Sequence, residues 1–454
     1  MTGKGVAITG MGLVTSLGTG VQENFAAVTG HKTGLARYPR EGCPENFQYM
    51  GKVNLQPYPF EIPVKLQSQM KFLNRGSVLG FAAALDAIRH AGLHPAYGNP
   101  LRTGAGNPPQ KAETVETAET EMAGIAPSRR ALYVASGDLT KVGYDFMYPA
   151  LKDATRGTFR NVDTHKLNSS TLKKVNPFFL LESISNNLFS VLSAFVNFMG
   201  PNTTIATLSP CGAQALEFAA RSISQGRADI ALAVGCGNWI TEVPLYEMSG
   251  LGLLSRCLSG ERSFRPFDRT RDGFIPSEGG AAIVLENEQV AKQRGATIHA
   301  VVRGFGSAIE YSGGSSISVP DMVIERVIEG ALRDAGLDLE DMAFICPHGS
   351  ATVKGDRSEL NSVRTLCGGA AVPVCGLKPY TGHMAAASDI AEAIIGVMAL
   401  KNGMVPGTLN FRGAGEAFKT LPISANHVPT NGKVFVTISY GLGAQSSAVV
   451  LEAV

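Results

Sequence analysis

Two side chains able to act as nucleophiles, Ser209 and Cys211, stand where an apolar, β-branched run gives way to a helical pattern. Thr203 to Thr207 reads as a strand that ends abruptly, and Ala213, Leu216, Ala220 and Ile223 follow at helical spacing. Serine is favoured at the N-cap and proline at the first helical position, so the junction predicts a helix from Pro210 capped by Ser209. A side chain on such an elbow meets free backbone N–H groups and the positive end of the helix, which suits a nucleophile whose product is an oxyanion. Cys211, as the second helical residue, is rotated about 100° from Pro210 and points along the flank. Ser209 is therefore expected to face the pocket. The plain alternative is a capped core helix with no chemistry.

Three glycine-flanked segments carry the other reactive groups. His348-Gly-Ser-Ala-Thr352 follows a strand, with Gly355-Asp356 and Glu359 beyond it. Lys378-Pro-Tyr-Thr-Gly-His383 puts a cation and an imidazole at a helix start, and Ser439-Tyr-Gly-Leu-Gly443 is a turn whose backbone amides can approach a substrate. Each histidine alone reads as a hydrogen-bonded core or surface residue. Together with a nucleophile on an elbow they describe one acid–base site.

The elements that position these residues recur in the same order in both parts of the chain. Ala300-Val-Val-Arg-Gly-Phe-Gly306 echoes Val6-Ala-Ile-Thr-Gly-Met-Gly12, and Ala331-Leu-Arg-Asp-Ala-Gly-Leu337 echoes Ala87-Ile-Arg-His-Ala-Gly-Leu93. Phe344 to Ser350 takes the place of Ala131 to Gly137, and Tyr380-Thr-Gly-His-Met384 opens an Ala-rich helix as Ser209-Pro-Cys211 does earlier. Four echoes in order point to a duplication, with halves at 1–290 and 291–454. Alternating strands and helices predict mostly parallel sheets buried on both faces, with both elbows at one centre. Gly5 to Leu17 reads as a strand running into a glycine turn; Gly10-x-Gly12 lacks the third glycine of a dinucleotide fingerprint. Residues 177–199 read as helical, and 103–128, rich in Thr, Glu, Ala and Pro, as a surface insertion.

Composition bounds the function. The 454 residues are 44% hydrophobic and 17% charged with a formal net charge of +2, which describes a globular protein and not a dedicated nucleic-acid binder. Seven scattered cysteines without a CxxC pair suggest reduced thiols in a cytoplasm and not disulfides or zinc. A strand entered by Val6 leaves no room for a signal peptide. Phe178 to Met199, the most apolar long stretch, is broken by Glu182, Ser183, Asn186 and Asn187 and is not expected to span a bilayer.

From Val6 to Glu452 the sequence resembles the β-ketoacyl-acyl carrier protein synthases of the thiolase fold, in the branch serving fatty acid and type II polyketide assembly. The resemblance is carried by Arg265-Pro-Phe-Asp-Arg-Thr-Arg-Asp-Gly-Phe274, Glu278-Gly-Gly280, Pro347 to Asp356 with Glu359, Lys378 with Gly382-His383, and the terminal glycine turn. It implies an α/β fold of αβαβα layers built from two similar halves, in a homodimer or in a heterodimer with a ketosynthase. Acyl chains would arrive on the phosphopantetheine arm of an acyl carrier protein, with no metal, nucleotide or other cofactor. His348 and His383 would promote decarboxylation of a malonyl-carrier and stabilise the enolate, Lys378 would anchor and polarise the site, and Glu359 would orient that network. Backbone N–H groups of the elbow residue and Leu442 would form the oxyanion hole. The family pattern Thr-Ala-Cys-x-x-Gly becomes Thr207-Leu-Ser-Pro-Cys-Gly212, so Ser209 holds the nucleophile's place and Cys211 comes two positions late. Leu442 replaces a phenylalanine gate, and Ala444-Gln445 replaces a Gly-x pair. The resemblance thus implies acyl transfer or decarboxylative chemistry with Ser209, the alternatives being a non-elongating, chain-length-factor-like partner subunit or a working Cys211.

Overall fold

The computed structural model describes residues 5–55, 62, 64–93, 124–137, 144–182, 186–207, 209–310 and 319–454. Its main sheet uses β1 (Val6–Thr15), β2 (Arg130–Ser136), β3 (Asn202–Ile205), β4 (Ile230–Asn238), β5 (Glu278–Asn287), β6 (Ala300–Ile309), β7 (Met342–Cys346), β8 (Val434–Tyr440) and β9 (Gln445–Ala453). Their spatial order is β7-β8-β9-β6-β1-β5-β4-β2-β3, with a two-residue strand, Gly18–Thr19, hairpinned onto β1. The order repeats: β3-β2-β4-β5-β1 is matched by β7-β8-β9-β6, and a parallel bridge from Val374 to Ile345 stands where β3 flanks β2. Within the sheet the two halves meet at the short antiparallel pairing of β1 with β6, Ala7↔Val301 and Ile8↔Ala300.

The sheet is not mostly parallel as the alternation predicts. Three neighbour pairs are parallel and five antiparallel along this path. The turn Gly441–Ala444 shows why in the second half. It is far too short for the crossover a parallel pair needs, so β9 must return antiparallel to β8.

Two helices, α2 (Cys211–Ser224) and α5 (Ala386–Lys401), pack on each other and on strands of both halves. Every residue of α5 from Ala386 to Leu400 is buried. Outside lie α1 (Arg75–His90), against β1, β4 and β5, and α3 (Glu325–Ala335), against β6 and β9, with α4 (Val353–Cys367) beside α3. The layers are therefore helix, sheet, helix pair, sheet, helix.

The repeated glycine pairs belong to that stacking and not to a turn. Val6 to Thr15 is one strand, and a Cβ on Gly10 or Gly12 would stand 2.2 or 2.1 Å from the carbonyls of Ala87 or Ala83. On Gly304 or Gly306 it would stand 2.4 or 2.0 Å from those of Ala331 or Val327. Each half uses a glycine pair to bring its outer helix onto the strand backbone.

Local expectations fare unevenly. The described residues of 177–199 include two helices, Phe179–Glu182 and Asn187–Val196, the second ended by Asn197 in the left-handed conformation. Of the 103–128 segment, 103–123 lies outside the described residues. Ile125 is buried, and its carbonyl accepts from the Arg130 guanidinium at 2.8 Å, so this end packs on the core.

Candidate active site

The elbow departs from its predicted form by one residue. Helix α2 begins at Cys211; Pro210, joined to Ser209 by a cis peptide bond, occupies the N-cap and supplies no side-chain cap. Ser209 does not cap the helix. That task falls to Asp389 of α5, whose Oδ2 accepts from the N–H groups of Gly212 at 3.0 Å and Ala213 at 3.3 Å. Freed from capping, the Ser209 hydroxyl has no hydrogen-bond partner among the described residues and lines a cavity with both histidines. Cys211 is fully buried in the central core, its Sγ donating to the Thr207 carbonyl at 3.0 Å. Burial, with the Asp389 charge adding to it, pushes its thiol up to about 12.

Each histidine is held by its backbone, and the Nδ1 of each ring has no hydrogen-bond partner among the described residues. The N–H of His348 donates to Glu359 Oε1 at 2.6 Å, and its carbonyl accepts from Lys378 Nζ at 2.6 Å. The second Glu359 oxygen accepts from the N–H of Gly349 at 2.9 Å. Glu359 thus orients the loop and not the lysine. Lys378 is paired instead with Glu392, at 2.9 Å to both carboxylate oxygens and buried from solvent. His383 is laced between Ile275 and Ser277: its N–H donates to the Ile275 carbonyl at 3.0 Å, and its carbonyl accepts from Ser277 at 2.9 Å.

The two Nε2 atoms lie 3.3 Å apart, with the rings edge to face at 5.1 Å between centroids. Trp239 and Phe274 flank His383 at 4.7 and 4.8 Å, and Tyr440 meets His348 at 4.9 Å. These aromatics strip water from the imidazoles. Burial, then the Lys378 charge and His383, hold His348 well below the usual imidazole range. Burial and Lys378 do the same to His383. Both rings are neutral near pH 7, and at 3.3 Å one Nε2–H donates to the other Nε2, so a substrate oxygen must take the place of that contact to accept from both.

The cavity between Ser209, the histidines and Leu442 measures about 80 Å³, with Met248, Leu251, Leu253 and Val319 on its walls. That is room for a few water molecules, or for a small acyl head group. Gly441 packs so tightly on the elbow that a Cβ there would stand 2.1 Å from the Ser209 carbonyl, which brings Leu442 to the cavity. The Arg265–Phe274 block is the scaffold beneath: Phe267 donates its N–H to Asp356 at 2.6 Å, and Phe274 supports His383. Burial pushes the Asp356 carboxyl up to about 6, against the opposing pull of Arg271.

The sequence matches the beta-ketoacyl synthase N-terminal domain over residues 112–291 and the C-terminal domain over 299–412. This chain belongs to the β-ketoacyl synthase family. It is 37% identical to the 3-oxoacyl-[acyl-carrier-protein] synthase 2 of Vibrio cholerae over 245 residues, 52% of this chain and 58% of that protein. With the enzyme of the same name from Vibrio harveyi it shares 32% over 289 residues, 62% of this chain and 68% of that one. A type II polyketide ketosynthase, solved with its acyl-carrier protein and bound to a hexaketide, superposes with a TM-score of 0.79 over the whole of both chains at 22% identity. The fold is that of these synthases.

Of the residues singled out by type and spacing, Ser209, His348, His383 and Leu442 line one cavity, Lys378 and Glu359 brace it from behind, and Cys211 lies outside it. Glu392 and Asp389 escaped the sequence reading. The signal was present: two acids three residues apart in an otherwise apolar, Ala-rich helix must each have a buried partner. Among the described residues no cluster of three or more His, Cys, Asp or Glu could hold a metal ion, and no helix is long and apolar enough to cross a membrane.

Proposed function

We propose that this β-ketoacyl synthase acts on thioesters of an acyl carrier protein, by acyl transfer to Ser209 or by decarboxylation, with His348 and His383 as the working pair. The observation that carries this is the convergence of two neutral Nε2 atoms 3.3 Å apart on a cavity that Ser209 also lines. With Nε2–H on both rings, the carbonyl oxygen of a malonyl thioester placed there accepts two hydrogen bonds. The carboxylate leaves as carbon dioxide, its bonding pair passes to the α-carbon, and the charge spreads onto the held oxygen. Protonation of that carbon yields the acetyl thioester. Buried donors aimed at developing charge are the strongest aid to such a step.

A serine hydroxyl is far less acidic than a thiol, so Ser209 needs one of these imidazoles as base. Its own N–H and that of Leu442 are the donors proposed for the tetrahedral oxyanion. Only the carrier's phosphopantetheine is required as a prosthetic group. The halves 1–290 and 291–454 are read as copies of one unit, each giving one elbow to the centre. The dimer contact is drawn from the first half, where the edge strand β3 and exposed Met199 and Phe218 lie.

A second reading, a chain-length-factor-like partner in a ketosynthase heterodimer, is favoured by the absence of a thiol among the described residues that line the cavity. Incubation with malonyl- and acyl-carrier protein, followed by intact mass of both proteins, separates the two. Acetyl-carrier or acylated Ser209 supports the enzyme. Inertness of the isolated chain, with obligate co-purification of a synthase, supports the partner.

A further inference from the structure

Of the two acids buried in α5, Glu392 is matched by Lys378, whereas Asp389 faces the elbow. The first N–H groups of a helix lack internal partners. Here Pro210 has none to offer, Gln214 returns its own to the Pro210 carbonyl at 3.1 Å, and those of Gly212 and Ala213 are both taken by one Asp389 oxygen. The contact is rigid. Asp389 is 3% exposed, and a Cβ on Gly212 would stand 2.2 Å from the Ala386 carbonyl, so the two helices already touch through their backbones.

We propose that Asp389 is a positioning residue that sets the charge state of the elbow, taking the Gly212 and Ala213 amides of α2 so that the side chain at position 209 works as a neutral hydroxyl. This rests on the reading of Ser209 as the acyl-accepting position. An unoccupied helix N-terminus favours an anion and lowers the pKa of a thiol placed there. A fixed carboxylate cancels that field and adds like-charge repulsion. A thiol works by ionising first, and this elbow opposes ionisation. A hydroxyl works by handing its proton to a base as it attacks, and loses nothing. Serine at 209 and the acid at 389 are therefore one device. Burial raises the Asp389 carboxyl above the usual range, while the Lys378 charge, the Ser439 hydroxyl and the two amides favour its ionised form; Glu392 and the Cys211 thiol are the other titratable groups beside it. Across the cavity, position 209 faces His348, His383 and Tyr440.

The test is made on the full chain carrying Ser209→Cys and Cys211→Ser, with and without Asp389→Asn, which keeps an oxygen for the two amides. Alkylation at position 209 by iodoacetamide is followed against pH by peptide mass mapping. With Asp389 present, the introduced thiol should titrate at or above the ordinary value of about 8.5. Asp389→Asn should lower that midpoint, raising alkylation at pH 7 about ten-fold. A merely structural Asp389 would change the melting temperature and leave the midpoint alone. Equal midpoints overturn the proposal, as does a midpoint well below 8.5 with Asp389 in place. That second criterion decides the matter should the Asn variant fail to fold. No carrier protein is involved, so failure here leaves the reading of the site as carrier-dependent untouched, and inertness toward carriers leaves these midpoints unchanged.

Discussion

Replacing Lys378 by Met should destabilise the fold by an amount that grows with pH. The ammonium is 0% exposed, touches both Glu392 oxygens at 2.9 Å and holds the His348 carbonyl at 2.6 Å. Removing one member of such a pair strands a buried charge, at a cost of about 3–5 kcal/mol. Glu392 can escape that cost by taking up a proton. Burial already pushes its carboxyl from 4.5 up to about 7 even with Lys378 opposing the shift. A carboxyl whose folded pKa is raised gives stability that is complete below its unfolded value and is lost as pH rises through the folded one. The loss here is about 3 kcal/mol at 1.36 kcal/mol per unit. Without Lys378 the folded value climbs further, so the variant pays most where the wild type has an ion pair and the variant must keep a proton. Urea unfolding should show a penalty of about 1–2 kcal/mol at pH 6 and about 3–5 kcal/mol at pH 8.5. Lys378→Met with Glu392→Leu should recover most of it and lose the pH dependence. A penalty independent of pH, or a double variant equal to the sum of the singles, would refute the reasoning.

Neutral His348 and His383 carry the proposed chemistry, so decarboxylation should persist below pH 6.5 and fail as pH drops through their depressed pKa values; a pH–rate profile with an acid limb at or above 6.5 contradicts this. Cys211→Ser should leave turnover nearly unchanged because the hydroxyl can still donate to the Thr207 carbonyl, whereas Ser209→Ala should abolish acyl transfer to the protein, both read by intact mass. If a reactive epoxide labels Cys211 and stops turnover, the shifted cysteine is the nucleophile after all. Gly306→Val should lower stability by about 3 kcal/mol, since its Cβ would stand 2.0 Å from the Val327 carbonyl; a near-native melting temperature would show that the outer helix is not held that closely.

What could be read in the sequence was local chemistry and repetition. The two histidines sit on glycine-flanked turns that the structure brings to one cavity, and the echo of Val6–Gly12 in Ala300–Gly306 reports a shared strand-on-helix contact. What could not be read was long-range pairing. Ser209 looked like an N-cap because local propensity favours it, but the donors of α2 are satisfied by Asp389 from a helix 177 residues away. The sequence shows Glu359 and Lys378 near the two histidines but not their partners: the Glu359 carboxylate holds two backbone N–H groups of the His348 loop, and Lys378 pairs with Glu392, a residue the spacing does not single out. Strand direction failed for the same kind of reason, since the pattern of alternating elements does not show which strands return through a short turn.

The most direct test of the account is conversion of malonyl-carrier protein to acetyl-carrier protein by the purified chain, followed by intact mass of the carrier, with His383→Ala and Cys211→Ser run alongside. The account predicts conversion by the wild type and by Cys211→Ser, and none by a folded His383→Ala. Equal conversion by His383→Ala, or loss of conversion in Cys211→Ser, would contradict it.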